Sequence, residues 1–141
     1  MENMKFSNIK LSNIFKKKPA LKRGYLSENF KASEFACKGT GKLPEDGMDP
    51  KLIELLEEIR THFDNAPIII NSGYRTPEHN AKVGGAKGSY HVKGMAADIR
   101  VGGVKPSKVY NYLNTFHTGG LGRYARFTHV DVRDGKARWQ G

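Results

Sequence analysis

Five histidines, His62, His79, His91, His117 and His129, are the residues of this chain best suited to bind a metal or move a proton near neutral pH. Two of them stand in unusual company. The segment Ser89-Tyr90-His91-Val92-Lys93-Gly94-Met95-Ala96-Ala97-Asp98 puts a histidine on a loop and an aspartate on the strand that follows. Gly94 and the small Ala96 and Ala97 let that backbone fold back closely, as two ligands of one ion require. His129 lies in Phe127 to Arg133, where Val130 and Val132 alternate with His129 and Asp131. One face of that strand is apolar, and the other carries His, Asp and Arg. Two imidazoles and one carboxylate can hold Zn²⁺ at about 2.0–2.2 Å and leave a fourth position open for water. Such an ion polarises a carbonyl and lowers the pKa of water toward about 7. Each residue alone has a blander reading: a strand histidine is commonly surface or hydrogen-bonded, and an aspartate such as Asp98 commonly serves a turn or an ion pair. A His₂Asp set by itself also accepts other first-row metals.

The elements that must position these residues can be read from pattern. Asp49 and Pro50 open a helix through Phe63, with Leu52, Leu55, Leu56, Ile59 and Phe63 on one face. Pro67 to Asn71 is a short β-branched run that reads as a buried strand, closed by the turn Ser72-Gly73-Tyr74-Arg75. Thr76-Pro77-Glu78 caps a short helix stopped by Gly84-Gly85. Met95 to Val101 reads as a strand. Lys105 to His117 reads as a helix with Val109, Leu113 and Phe116 inward, ended by Gly119-Gly120. After the strand Phe127 to Arg133, Asp134-Gly135 signals a hairpin, with Lys136 to Trp139 returning. Helices followed mostly by strands predict an α+β single domain, its helices packed on a small antiparallel sheet. His62 and His79 fall on helix surfaces, and His117 at a helix end.

The 141 residues fit one compact domain. The single cysteine, Cys37, excludes an internal disulfide and reads as a small packed hydrophobe. The net charge is +10, and residues 1–25, with seven Lys or Arg against one acid, carry +6 of it. These residues are expected to form a basic, flexible arm, with the domain over 26–141. Such an arm attracts polyanions of several kinds. No stretch has the roughly 18–20 apolar residues of a membrane span, nor the apolar core of a secretion signal. The expectation is a chain made in the cytoplasm, a monomer, that something else delivers to any external target. One cysteine builds no zinc finger, and Tyr110, Tyr112 and Phe116 are more simply helix core and flank than base-stacking platforms. Specific nucleic-acid binding is therefore not expected.

The segments FKASEFAC (Phe30 to Cys37), SGYRTPEHN (Ser72 to Asn80), SYHVKGMAADI (Ser89 to Ile99), GGLGRY (Gly119 to Tyr124) and FTHVDVR (Phe127 to Arg133) together resemble the zinc D-Ala-D-Ala carboxypeptidase and peptidoglycan endopeptidase family. The resemblance is to its short phage and bacterial branch and runs from about Asn29 to Trp139. It implies a hedgehog/DD-peptidase-like fold and one zinc ion on His91, Asp98 and His129. It also implies hydrolysis of a peptide bond in peptidoglycan by metal-activated water. Arg75 matches a family arginine that steadies the substrate carbonyl or the developing oxyanion; the alternative is a structural ion pair. Ser89 and Tyr74, in the same segments, are the expected substrate-binding residues. The better-known branch has a catalytic Glu three residues before the last zinc histidine, where this chain has Arg126. Asp131 is the best substitute as general base, unless it merely orients His129 or pairs with Arg133. The departure keeps a zinc-containing but non-catalytic wall-binding domain as the alternative. The basic arm would in either case favour anionic wall polymers. The bond cut, a terminal D-Ala or a cross-link, stays open.

Overall fold

The computed structural model describes residues 20–141, so most of the arm expected over 1–25 lies outside the described residues. A 3₁₀ turn at Ala32–Phe35 precedes α1 (Pro50–His62), β1 (Ile68–Ser72), α2 (Pro77–Lys82), β2 (Ala96–Val101), α3 (Pro106–Asn114), β3 (Gly120–Arg123), β4 (Thr128–Asp131) and β5 (Ala137–Gln140). Each helix begins where a proline fixes φ in its first turn. The side chain of Asp49 accepts from the amide of Lys51 to cap α1, and that of Thr76 accepts from His79 to cap α2.

The five strands form one sheet in the order β1-β2-β4-β3-β5. All pairs are antiparallel except β3 with β5, which run parallel. The fold is α+β as expected, but the sheet is mixed. The returning strand does not pair with β4 across the Asp134-Gly135 turn. Both edges of β4 are already taken, by β2 and by β3, so the chain passes over β3 and adds at the sheet's edge. The strand β3 was itself unexpected, because Gly-Leu-Gly-Arg lacks the β-branched residues that mark a strand.

One sheet face packs the core. Leu52, Leu56 and Ile59 of α1 and Val109 and Leu113 of α3 meet Ala97, Ile99, Val101, Leu121 and Val130 of the sheet. Burying side chains of this size contributes about 1.5–3 kcal/mol each. Phe116, expected to point inward, is 42% exposed. α3 ends at Asn114, so the helical spacing that would turn Phe116 into the core stops short of it.

Candidate metal centre

The opposite sheet face carries the polar residues, and strand register arranges them in two rows. Residues directly opposite in neighbouring strands share a face. Ser72, Asp98, His129, Gly122 and Trp139 form one row across all five strands. Ala96, Asp131, Gly120 and Ala137 form the next. Gly122 beside His129, and Ala96 and Gly120 on either side of Asp131, give the imidazole and the carboxylate room to lie over the sheet. A β-carbon on Gly122 would come within 2.5 Å of the Trp139 indole, so the missing side chain lets Trp139 reach back toward the His129 ring, 5.0 Å away between centroids.

His91 joins from the loop before β2. Gly94 turns that loop with φ +72°, a conformation glycine adopts without strain. The backbone amide of Arg75 donates to the His91 carbonyl at 3.1 Å, tying the loop to the end of β1. The structure thus brings His91, Asp98 and His129 together: all three are buried, and one ligand atom from each lies within 4.8 Å of the others.

Hydrogen bonds fix which nitrogen of each ring faces the centre. Nδ1 of His91 lies 2.7 Å from the carbonyl oxygen of Gly73, which can only accept, so Nδ1 donates. Nε2 of the same ring lies 3.2 Å from Oδ1 of Asp98. Nε2 of His129 lies 2.7 Å from Oδ2 of Asp131, and its Nδ1 lies 2.9 Å from Oδ1 of Asp98. Burial opposes ionisation of Asp98, but hydrogen bonds from His129 and His91 outweigh it and hold the carboxyl well below the usual carboxylate range. Burial likewise opposes ionisation of Asp131, and Arg133 and His129 hold it low. Each ring therefore faces an acceptor at both nitrogens, while a neutral imidazole has one N–H to give. The arrangement calls for added positive charge at its centre. A proton supplies it at His129, where burial disfavours the charged ring but the bonds to Asp131 and Asp98 raise its pKa. A divalent cation held by His91, His129 and Asp98 would meet the same demand, with Gly73 and Asp131 holding the rings from behind. The donor set fits such an ion.

Arg75 reaches the cluster from the β1–α2 turn. It donates from Nε to Ser72, from Nη1 to Asn80 and from Nη2 to Oδ2 of Asp98, at 3.1, 3.2 and 3.3 Å. Among the described residues, three of its five N–H groups are thereby used and two remain. A cleft of about 570 Å³ opens over the cluster, walled on one side by the loop 83–90 and on the other by Tyr124, Phe127, Arg133 and Trp139. Arg75, His91, Asp98, His129 and Ser89 all line it. Ser89 also accepts from the amide of His91 at 3.2 Å.

Other expected residues lie elsewhere. Tyr74 packs against the hydrophobic core and does not line the cleft. Asp131 is completely buried, and its two oxygens accept from His129, Arg133 and the amide of Gly120. His117 donates from Nε2 to the backbone carbonyl of Asp131 at 2.7 Å and does not line the cleft. His62 is exposed and stacks on Tyr112, and Arg126 is exposed between β3 and β4. Tyr90, Trp139, Gly120 and Gly122 escaped the sequence reading; the alternation of glycines in GGLGRY was the one available sign.

Comparison with known proteins agrees with this geometry. A family model described as Peptidase M15 matches residues 28–131. The chain belongs to the peptidase M15 family. Membership makes it a metallopeptidase, in keeping with the buried His-Asp-His cluster at the base of a cleft. It is 32% identical over 146 residues to a probable peptidoglycan L,D-endopeptidase MepK of Haemophilus influenzae, covering 96% of this chain and 77% of that one. It is 29% identical over 122 residues to the peptidoglycan L,D-endopeptidase MepK of Escherichia coli K12, covering 82% of this chain and 67% of the other.

Proposed function

We propose that this chain is a zinc-dependent endopeptidase that hydrolyses a peptide bond of bacterial peptidoglycan, with the ion held by His91, Asp98 and His129. The observation that carries the reading is the pair of imidazoles with acceptors at both nitrogens, converging on one ionised carboxylate oxygen at the floor of an open cleft. The names of the two relatives support peptidoglycan as the substrate and an L,D bond as the one cut. A bound zinc ion would supply Lewis-acid polarisation of the scissile carbonyl and a lowered pKa for water.

The chain's own residues do the rest. Gly73 and Asp131 fix the two ring orientations. Arg75 holds Oδ2 of Asp98 so that Oδ1 faces the imidazoles, and its two remaining N–H groups are available to a carbonyl oxygen that gains charge. Asp131, buried behind His129, serves as a positioning residue for that ring rather than as a base in contact with the attacking water. Action at the cell wall follows from this substrate; among the described residues no helix is long and apolar enough to cross a membrane.

The test is mass spectrometry of purified peptidoglycan incubated with the zinc-loaded chain, beside chelated and His129→Ala controls. New peptide fragments absent from both controls are expected, and their masses identify the bond. A folded, zinc-loaded chain that releases nothing from several wall types would instead be a wall-binding domain.

A further inference from the structure

Arg133 occupies the cleft wall beside the cluster, and its bonding leaves one edge of the guanidinium unused. Nε donates to Oδ1 of Asp131 and Nη2 to Oδ2, both at 2.8 Å. This is the side-on, bidentate mode of the planar fork. The group also lies over two aromatic rings, with Cζ 4.4 Å from the centroid of Tyr90 and 5.1 Å from that of Trp139. These contacts hold the plane in place at low entropic cost to any further bond. Among the described residues, no acceptor is bonded to Nη1. The terminal edge, made of Nη1 and the second proton of Nη2, thus keeps two parallel donors for one more planar anion.

The position of that edge matters. Oδ2 of Asp131 accepts from both Arg133 and His129, so a single oxygen atom separates the guanidinium from the metal-side ring. Arg133 and the cluster line the same cleft, so an anion on the terminal edge and a carbonyl over the cluster would share it. The charge balance agrees: among the described residues, Arg75, Lys87 and Arg133 line the cleft against Asp98 as the one acid.

We propose that Arg133 is a specificity residue that anchors a free carboxylate of the peptide substrate, adjacent to the bond cut. This rests on the peptidase reading and narrows it: the preferred substrate carries an ionised carboxyl on the residue next to the scissile amide, and the amidated form is a poor one. A role for Arg133 confined to holding Asp131 would slow every substrate alike and create no such preference.

The test uses the full zinc-loaded chain and two probes, diacetyl-L-Lys-D-Ala as the free acid and as its C-terminal carboxamide. Binding is measured by titration calorimetry and cleavage by chromatography of the same samples. The wild-type chain is expected to bind the acid at least roughly tenfold more tightly than the amide, the scale of one charge-assisted hydrogen-bond pair. Arg133→Lys and Arg133→Gln are expected to bring that ratio close to one. Equal binding of the two probes by the wild-type chain, binding of neither, or an undiminished ratio in both variants overturns the anchor. The wild-type ratio can overturn the anchor by itself; its assignment to Arg133 rests on the variants, and Arg133→Lys keeps the charge that Asp131 faces should Arg133→Gln fail to fold. Discrimination in binding without cleavage upholds the anchor and removes the peptidase reading for this bond. Cleavage of both probes at equal efficiency does the reverse.

Discussion

The amide of Gly120 donates to Oδ1 of Asp131 at 3.0 Å, and a β-carbon at position 120 would fall on that carboxylate. The contact ties an ordinary-looking glycine on β3 to the ring orientation of His129, because Asp131 is what His129 leans on. Gly120→Ala must push the carboxylate aside. Overpacking of this kind costs about 1–3 kcal/mol. The displaced carboxylate should also lower zinc affinity by roughly tenfold or more, as loss of a supporting partner does at metal histidines. Thermal melts and competition with a chromophoric chelator measure the two effects.

Asp131→Asn separates positioning from proton transfer. An amide keeps the shape but loses the charge that faces His129 and Arg133. The expected result is zinc affinity lower by about 10–100-fold, with turnover recovering in part when zinc is raised. Unchanged zinc affinity with turnover abolished at saturating zinc would restore Asp131 to the role of base.

How far all this was legible in the sequence differs from element to element. α1 was readable because cap, proline and apolar spacing agree over thirteen residues. β3 was not, since its glycines are there to make room for Asp131 and Trp139, and room leaves no propensity signal. The hairpin signal at Asp134-Gly135 was local and true to a turn, but pairing is decided by which edges remain free, a fact of the whole sheet. His91, Asp98 and His129 could be singled out by type and spacing. The carbonyl of Gly73 could not, because a backbone acceptor has no side chain to announce it. The placement of Asp131 turned on register: pairing opposite Ala96 and Gly120 puts it behind His129, one row away from the cleft.

Glu57 of α1 fastens the segment before the 3₁₀ turn. Its carboxylate accepts from the Ser27 hydroxyl at 2.5 Å and from the amide and side chain of Asn29 at 2.8 and 2.7 Å. Burial opposes its ionisation, but these bonds outweigh burial and lower its pKa. A depressed acid contributes stability that is fully present above its unfolded value and is lost as pH falls through the folded one. The wild-type chain should therefore lose this contribution only below about pH 4.3, the ordinary glutamate value. Glu57→Gln should cost about 1–2 kcal/mol at neutral pH, the scale of charged hydrogen bonds discounted for partial exposure. The difference between the two chains should shrink in melts run at progressively lower pH. A gap that stays constant down to the acid transition would rule out ionisation of Glu57 as its source.

Arg75 tests whether the cluster's cation serves the substrate or only the fold. Its three bonds spread over Ser72, Asn80 and Asp98, and Asn80 in turn donates to the carbonyl of Ala86 in the cleft wall at 3.0 Å. A lysine keeps the charge but offers it from one nitrogen, so it cannot hold all three partners and still point a donor into the cleft. If the two free N–H groups meet the developing oxyanion, Arg75→Lys should lower kcat by about 10²-fold, with KM and bound zinc little changed. The measurement is steady-state kinetics paired with zinc content by elemental analysis on the same preparation. Loss of zinc in proportion to loss of rate would mean that Arg75 works through the orientation of Asp98 and not on the reacting carbonyl.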